Sequence, residues 1–201
     1  MKNGREGVRL IFLVLVLALF STSHVFAASF KKGAAAYQAG DYATARAEWQ
    51  PLAEAGHTGA LNNMALIYKK GLGVPVDLKK AFNYFRKSAR KGFVRAEYNL
   101  AGMYRTGKGT AKNSKKAMKW MRRAAEHQMA RAQYVTGNWY ARGYGVRKDK
   151  IKALTWYMIA FKNSKGEFNK KVRVKISEFQ SKLKPMEVNE ALRQVDAFKP
   201  K

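Results

Sequence analysis

Apolar residues in this chain fall into short stripes of helical period, and glycines break the stripes at regular intervals. Ala60, Met64 and Tyr68 are four residues apart, which places them on one face of a helix. Gly71 and Gly73 follow at once; glycine takes positive φ at little cost, so the pair stops that helix and turns the chain. Asp77 then stands where an N-cap is wanted, and Ala81, Phe85 and Ala89 make a second helical stripe. The predicted unit is therefore helix, glycine turn, helix.

The unit repeats. Three segments beginning at Ala60, Ala96 and Ala132 align at a spacing of 36 residues without a gap. The matching columns are Tyr68/Tyr104/Tyr140, Gly71/Gly107/Gly143, Gly73/Gly109/Gly145, Asp77/Asn113/Asp149 and Ala81/Ala117/Ala153, with an aromatic column at Tyr84/Trp120/Trp156. Small residues at Ala65, Ala101 and Gly137 let a neighbouring helix approach closely. Neither helix of a pair can bury its apolar stripe alone, and stacking the pairs buries both. The expected fold is all-α: a short right-handed α/α solenoid of tandem helix-turn-helix repeats with a C-terminal helical cap. Its expected divisions are 28–56, 57–92, 93–128, 129–164 and a cap at 165–201. In the first of these, Ala45, Trp49, Ala53 and Gly56 lie 36 residues before Ala81, Phe85, Ala89 and Gly92, and Pro51 should kink or loosen the second helix. In the cap, helices are expected over roughly 167–183, with Val172, Val174, Ile176, Phe179 and Leu183 apolar, and from Pro185, with Val188, Leu192, Val195 and Phe198 apolar.

These columns resemble the Sel-one-like repeat (SLR) family of tetratricopeptide-like solenoids. The resemblance is carried by Tyr68, Gly71, Gly73, Val74, Asp77, Lys80, Ala81, Tyr84, Phe85 and Ala89 with their counterparts in the next two repeats. It covers about two-thirds of the chain after residue 27. The shorter unit at 30–56 resembles an ordinary tetratricopeptide repeat, and the stretch from Lys182 to Ala191 is similar to the terminal helix of many bacterial members. The resemblance implies an adaptor that brings proteins together, often at membranes or in the cell envelope, with no shared catalytic residues. The chain departs from the pattern at Thr136, where Leu is usual, at Thr110-Ala111, and at Gln128, where the repeat usually ends in Gly.

The first 27 residues change the picture of where the repeats reside. Lys2, Arg5 and Arg9 precede an unbroken apolar run from Leu10 to Phe20, and Val25-Phe26-Ala27 suits a signal peptidase. Eleven apolar residues rise only about 16 Å as a helix, short of a bilayer core of about 30 Å. Cleavage after Ala27 and a periplasmic or secreted protein are the expectation. With no Cys in the chain, packing alone must hold the fold.

Charge supplies the next constraint. Lys and Arg number 40 against 13 Asp and Glu, a formal net charge of +27. Such a chain favours anionic neighbours. The expected partner is an acidic protein or peptide, with an anionic membrane surface as the alternative. Nucleic acid is disfavoured, because the sequence shows neither a recognition helix nor a stacking platform.

Candidate chemistry is sparse. His57 and His127 fall near turns almost two repeats apart, which gives no metal site and reads as solvent-facing turn residues. Glu97, Glu126 and Asp149 form no evident acid–base pair. Ser29, Ser88 and Ser181 each have a Lys three residues on, but the S-D-N and K-T-G motifs that serve such a serine are missing. The expectation is a non-enzymatic chain without cofactors. Two surfaces are candidates for binding. Basic residues of the second helices, such as Lys79, Lys80, Arg86, Lys87, Lys115, Lys116 and Arg122, should line the outer, convex face. On the first helices, Asn63, Ile67 and Lys70, then Asn99, Met103 and Thr106, then Val135, Trp139 and Arg142, share one face that should line the concave groove.

Overall fold

The structure, a computed structural model, describes residues 28–200. The leader segment expected over 1–27 lies outside the described residues. Ten helices and no strand make up the described chain: α1 (Phe30–Gln38), α2 (Tyr42–Glu54), α3 (Thr58–Lys70), α4 (Leu78–Arg90), α5 (Val94–Thr106), α6 (Ser114–Glu126), α7 (Ala130–Arg142), α8 (Lys150–Lys162), α9 (Gly166–Gln180) and α10 (Pro185–Asp196). Each helix packs on the next in order through α9, and α9 and α10 both pack on α8. That is a solenoid of helix pairs closed by two capping helices.

The same local chemistry builds every repeat. Gly71, Gly107 and Gly143 end the first helices in the left-handed region, at φ 71, 76 and 71°. The N–H groups of Asp77, Asn113 and Asp149 then donate back to the carbonyls of Tyr68, Tyr104 and Tyr140 over 2.9, 2.8 and 3.0 Å. The side chains of the same three residues accept from the backbone N–H of Lys80, Lys116 and Lys152, which caps the second helices. One residue thus closes the turn with its backbone and starts the next helix with its side chain.

The core runs through the stack as three linked clusters. Trp49, Leu61, Met64 and Ile67 centre the first, Phe82, Phe85 and Leu100 the second, and Met121, Trp139, Trp156 and Tyr157 the third. Tyr68 and Tyr84 pack against both the first and second clusters, and Tyr104 and Trp120 against both the second and third. The Tyr column and the aromatic column are therefore the joints between successive cores.

Departures from the repeat pattern have visible costs. Gln128 sits at φ 61°, the left-handed conformation that Gly56 and Gly92 occupy at 85 and 84°, so this repeat end carries backbone strain. Thr136 is fully buried, and its Oγ1 finds no hydrogen-bond partner. Pro51 does not end α2; the helix continues to Glu54, and Pro51 O accepts from Ala55 N at 3.0 Å. In the cap, Val172 and Val195 are buried, but Val174 and Leu192, expected on the apolar faces, are exposed.

Candidate functional site

A groove of about 540 Å³ lies between the first helices of the three repeats and α9. Its lining comprises Lys69 from α3, Tyr98, Asn99, Gly102 and Arg105 from α5, Met121 from α6, Tyr134, Val135, Asn138, Trp139 and Arg142 from α7, and Lys175 from α9. No carboxylate lines it. Lys175 is paired with Glu178 at 3.2 Å. Lys69, Arg105 and Arg142 have no ion-pair partner among the described residues.

Each class of side chain brings something different to this groove. Lys69 is half-buried, and desolvation, followed by the charges of Lys108 and Lys70, holds its ammonium below the ordinary lysine value of 10.5. An unpaired, partly dehydrated cation gains most from an incoming anion. Asn99 Nδ2 donates to Asn62 Oδ1 at 3.4 Å, and Asn62 Nδ2 donates to Asn63 Oδ1 at 3.2 Å, so an amide chain ties α5 to α3. Tyr157 OH donates to Asn138 Oδ1 at 3.0 Å, which fixes the second groove amide; burial pushes the Tyr157 phenol well above its usual range, so it remains a donor. At Gly102 the groove floor is bare helix backbone, and a Cβ added there would meet nothing within 4 Å.

The expected face is only partly the observed one. Asn99, Val135, Trp139 and Arg142 line the groove. Ile67 and Met103 do not; they are 0% and 2% exposed and belong to the core. Asn63 is half-buried in the amide chain, Lys70 is exposed outside the groove, and Thr106 Oγ1 donates back to Gly102 O at 3.0 Å. The physical reason is a rotation of one residue, about 100° on a helix. The columns opposite Met64, Leu100 and Thr136 are those of Gly102 and Asn138, of Tyr98 and Tyr134, and of Lys69 and Arg105. Sighting along the helix from the most buried column, rather than from the Tyr column, would have found Tyr98, Gly102, Arg105, Tyr134 and Asn138. Lys175 arrives from the cap, which no repeat arithmetic reaches.

The histidines also differ from the expectation of idle turn residues. His57 is exposed, but its Nδ1 caps α3 by accepting from Ala60 N at 3.1 Å. His127 is partly buried and meets Glu97 Oε2 at 3.0 Å. Glu97 is fully buried, and Arg123 Nε lies 2.9 Å from its Oε1, off the hydrogen-bonding line, as an ion pair. The same columns one repeat later hold Gln133 and Asn163, joined by an amide hydrogen bond of 3.1 Å. These pairs tie the edge of the solenoid away from the glycine turns. Among the described residues, no group of three or more His, Cys, Asp or Glu is placed to hold a metal ion, and no helix is long and apolar enough to cross a membrane.

A profile of the Sel1 repeat matches residues 58–93, 94–129 and 130–163. A Sel1 repeat protein from Oxalobacter formigenes shares the fold with a TM-score of 0.68 and 26% identity, over 84% of this chain and 70% of its own. A protective antigen present in uropathogenic Escherichia coli strains, displaying an SLR fold, aligns with a TM-score of 0.56 and 25% identity. That alignment covers 78% of this chain and 41% of the antigen. No curated protein matches the sequence.

Proposed function

The chain belongs to the Sel1 repeat family, whose fold is that of a protein-interaction scaffold, and from that premise we propose that it holds an acidic segment of a partner protein in the groove between α3, α5, α7 and α9. Sel1 repeat proteins are generally non-enzymatic. The observation that carries the reading is a groove lined by the unpaired cations Lys69, Arg105 and Arg142, with no carboxylate facing them and bare backbone at Gly102. Carboxylates of an extended segment answer the cations, its backbone lies against Gly102, and Asn99 and Asn138 offer amide groups to its peptide bonds.

Gly102→Leu is expected to abolish binding of an acidic peptide, because the side chain fills the empty floor. The fold should tolerate it, since the Cβ meets nothing and leucine is the better helix former by about 0.5–1 kcal/mol. The same titration checks the charge. A bound anion stabilises the Lys69 ammonium, so binding takes up a proton where free Lys69 has begun to lose one. Affinity should therefore fall as pH rises through the Lys69 pKa, at a pH below 10.5, and Lys69→Arg should flatten that fall. Calorimetry showing equal affinity for acidic and neutral peptides, or full binding by Gly102→Leu, would sink the reading.

The site of action we propose is the bacterial envelope or beyond, on the strength of residues 1–27 as an export signal. Protein recovered from the envelope or medium should begin at Ala28; a chain starting at Met1 and confined to the cytosol would refute it.

A further inference from the structure

We propose that the edge formed by the glycine turns is a second interaction surface, independent of the groove, which seats the solenoid on an anionic lipid bilayer. The helices alternate in direction, so the three turns come to one edge. They are laid side by side in register, because the second glycine of each turn lies against the first residue of the preceding second helix: Gly73 on Tyr42, Gly109 on Leu78, Gly145 on Ser114. The α9–α10 turn joins the same edge, since Glu187 closes a cavity with Val146 and the residues up to Lys152.

Cations on this edge repeat with the fold. Lys80, Lys116 and Lys152 stand over the rings of Tyr68, Tyr104 and Tyr140, with Nζ to centroid distances of 4.1, 5.7 and 5.8 Å. Beside them Lys79, Lys115 and Lys148 are exposed. The edge also has acids, but each has an oxygen committed to backbone. Asp77 accepts from Lys80 N, Asp149 from Lys152 N and Glu187 from Lys184 N. Asp149 also holds Lys152 through its second oxygen, at 3.0 Å, whereas Lys79, Lys115 and Lys148 have no ion-pair partner among the described residues. Lys79, Lys80, Lys115 and Lys116, expected on the convex face, thus sit in the first turns of the second helices, beside the glycine turns.

Two further observations select a bilayer over a soluble polyanion. Val76 and Met186 project from this edge at 59% and 74% exposure, among the cations. Cations around protruding apolar tips suit the boundary between headgroups and acyl chains. Conversely, the rings that could stack on nucleic-acid bases are already covered by lysines.

Flotation of the chain beginning at Ala28 with phosphatidylglycerol-containing and pure phosphatidylcholine vesicles tests the assignment, since the apolar run Leu10–Phe20 would bind either vesicle by itself. Binding to anionic vesicles should fall with salt. The triple variant Lys79→Gln, Lys115→Gln, Lys148→Gln should weaken it on the order of 100-fold, about fivefold per cation. Met186→Ser should weaken it further in high salt, where the apolar contact dominates. Gly102→Leu should leave it unchanged, which separates this surface from the groove. Unaltered binding by the triple variant would overturn the proposal, as would equal binding to neutral vesicles. So would displacement by an oligonucleotide with Met186→Ser without effect, which would make the surface a polyanion site.

Discussion

Gly109→Ala and Gly145→Ala are each expected to lower stability by about 2–5 kcal/mol, more than any other single change in the turns. Two costs add. At φ 73 and 71° each glycine is in the left-handed region, where a Cβ costs roughly 1–2 kcal/mol. In addition, the new Cβ would be driven into the carbonyl of Leu78 or Ser114. That carbonyl belongs to the backbone of the preceding repeat, so relief requires the two repeats to part. Gly107→Ala is the internal control. It has the same handedness, φ 76°, but its Cβ would come no nearer than 3.4 Å to anything, so it should show the backbone cost alone. Urea unfolding measures both. Because stability in a solenoid rests on contacts between neighbours, Gly109→Ala should also split one transition into two as the stack uncouples at that joint. Equal losses for Gly107→Ala and Gly109→Ala would show that the close approach is not what holds the turns in register.

Arg123→Ala should cost about 3 kcal/mol, in spite of removing a side chain that is 42% exposed. The loss arises at its partner. Glu97 has no exposure at all, and without Arg123 its carboxylate retains only His127. Replacing the acid itself has the opposite consequence. Leu61 fills the same column one repeat earlier and is 1% exposed in the core. Glu97→Leu should therefore be neutral or stabilising, since Arg123 and His127 can both turn to water. The double variant Glu97→Leu, Arg123→Ala should recover most of what Arg123→Ala loses. Thermal melts of the four proteins complete the cycle; a loss under about 1 kcal/mol for Arg123→Ala would show the buried acid to be content with its histidine.

The fold was legible because its rules are local and repeated. Asp77, Asn113 and Asp149 were identifiable as caps, and each accepts from the residue three positions on. The glycine columns announced the turns, and the turns are where those glycines take positive φ. The groove was half legible, since Asn99, Val135, Trp139 and Arg142 line it but Ile67 and Met103 are core. Spacing gives the period of a helix face without its phase. Phase depends on which neighbours flank the helix, and the first helices α3, α5 and α7 are each flanked by second helices on two sides. The Glu97–Arg123–His127 group was hidden for another reason: its members are up to 30 residues apart and are joined only when the chain has turned back. Comparing columns would have exposed it, because one buried place is apolar at Leu61 and polar at Glu97 and Gln133.

Tyr68 with Tyr84, and Tyr104 with Trp120, each serve two cores at once. The surface offered to the next unit is thus nearly the same at every boundary. Excising or duplicating 36 residues would bring like against like and expose no unmatched apolar face. Array length can accordingly drift by whole modules while the ends keep their caps. A relative of which this chain spans only 41% is what such modular growth would produce.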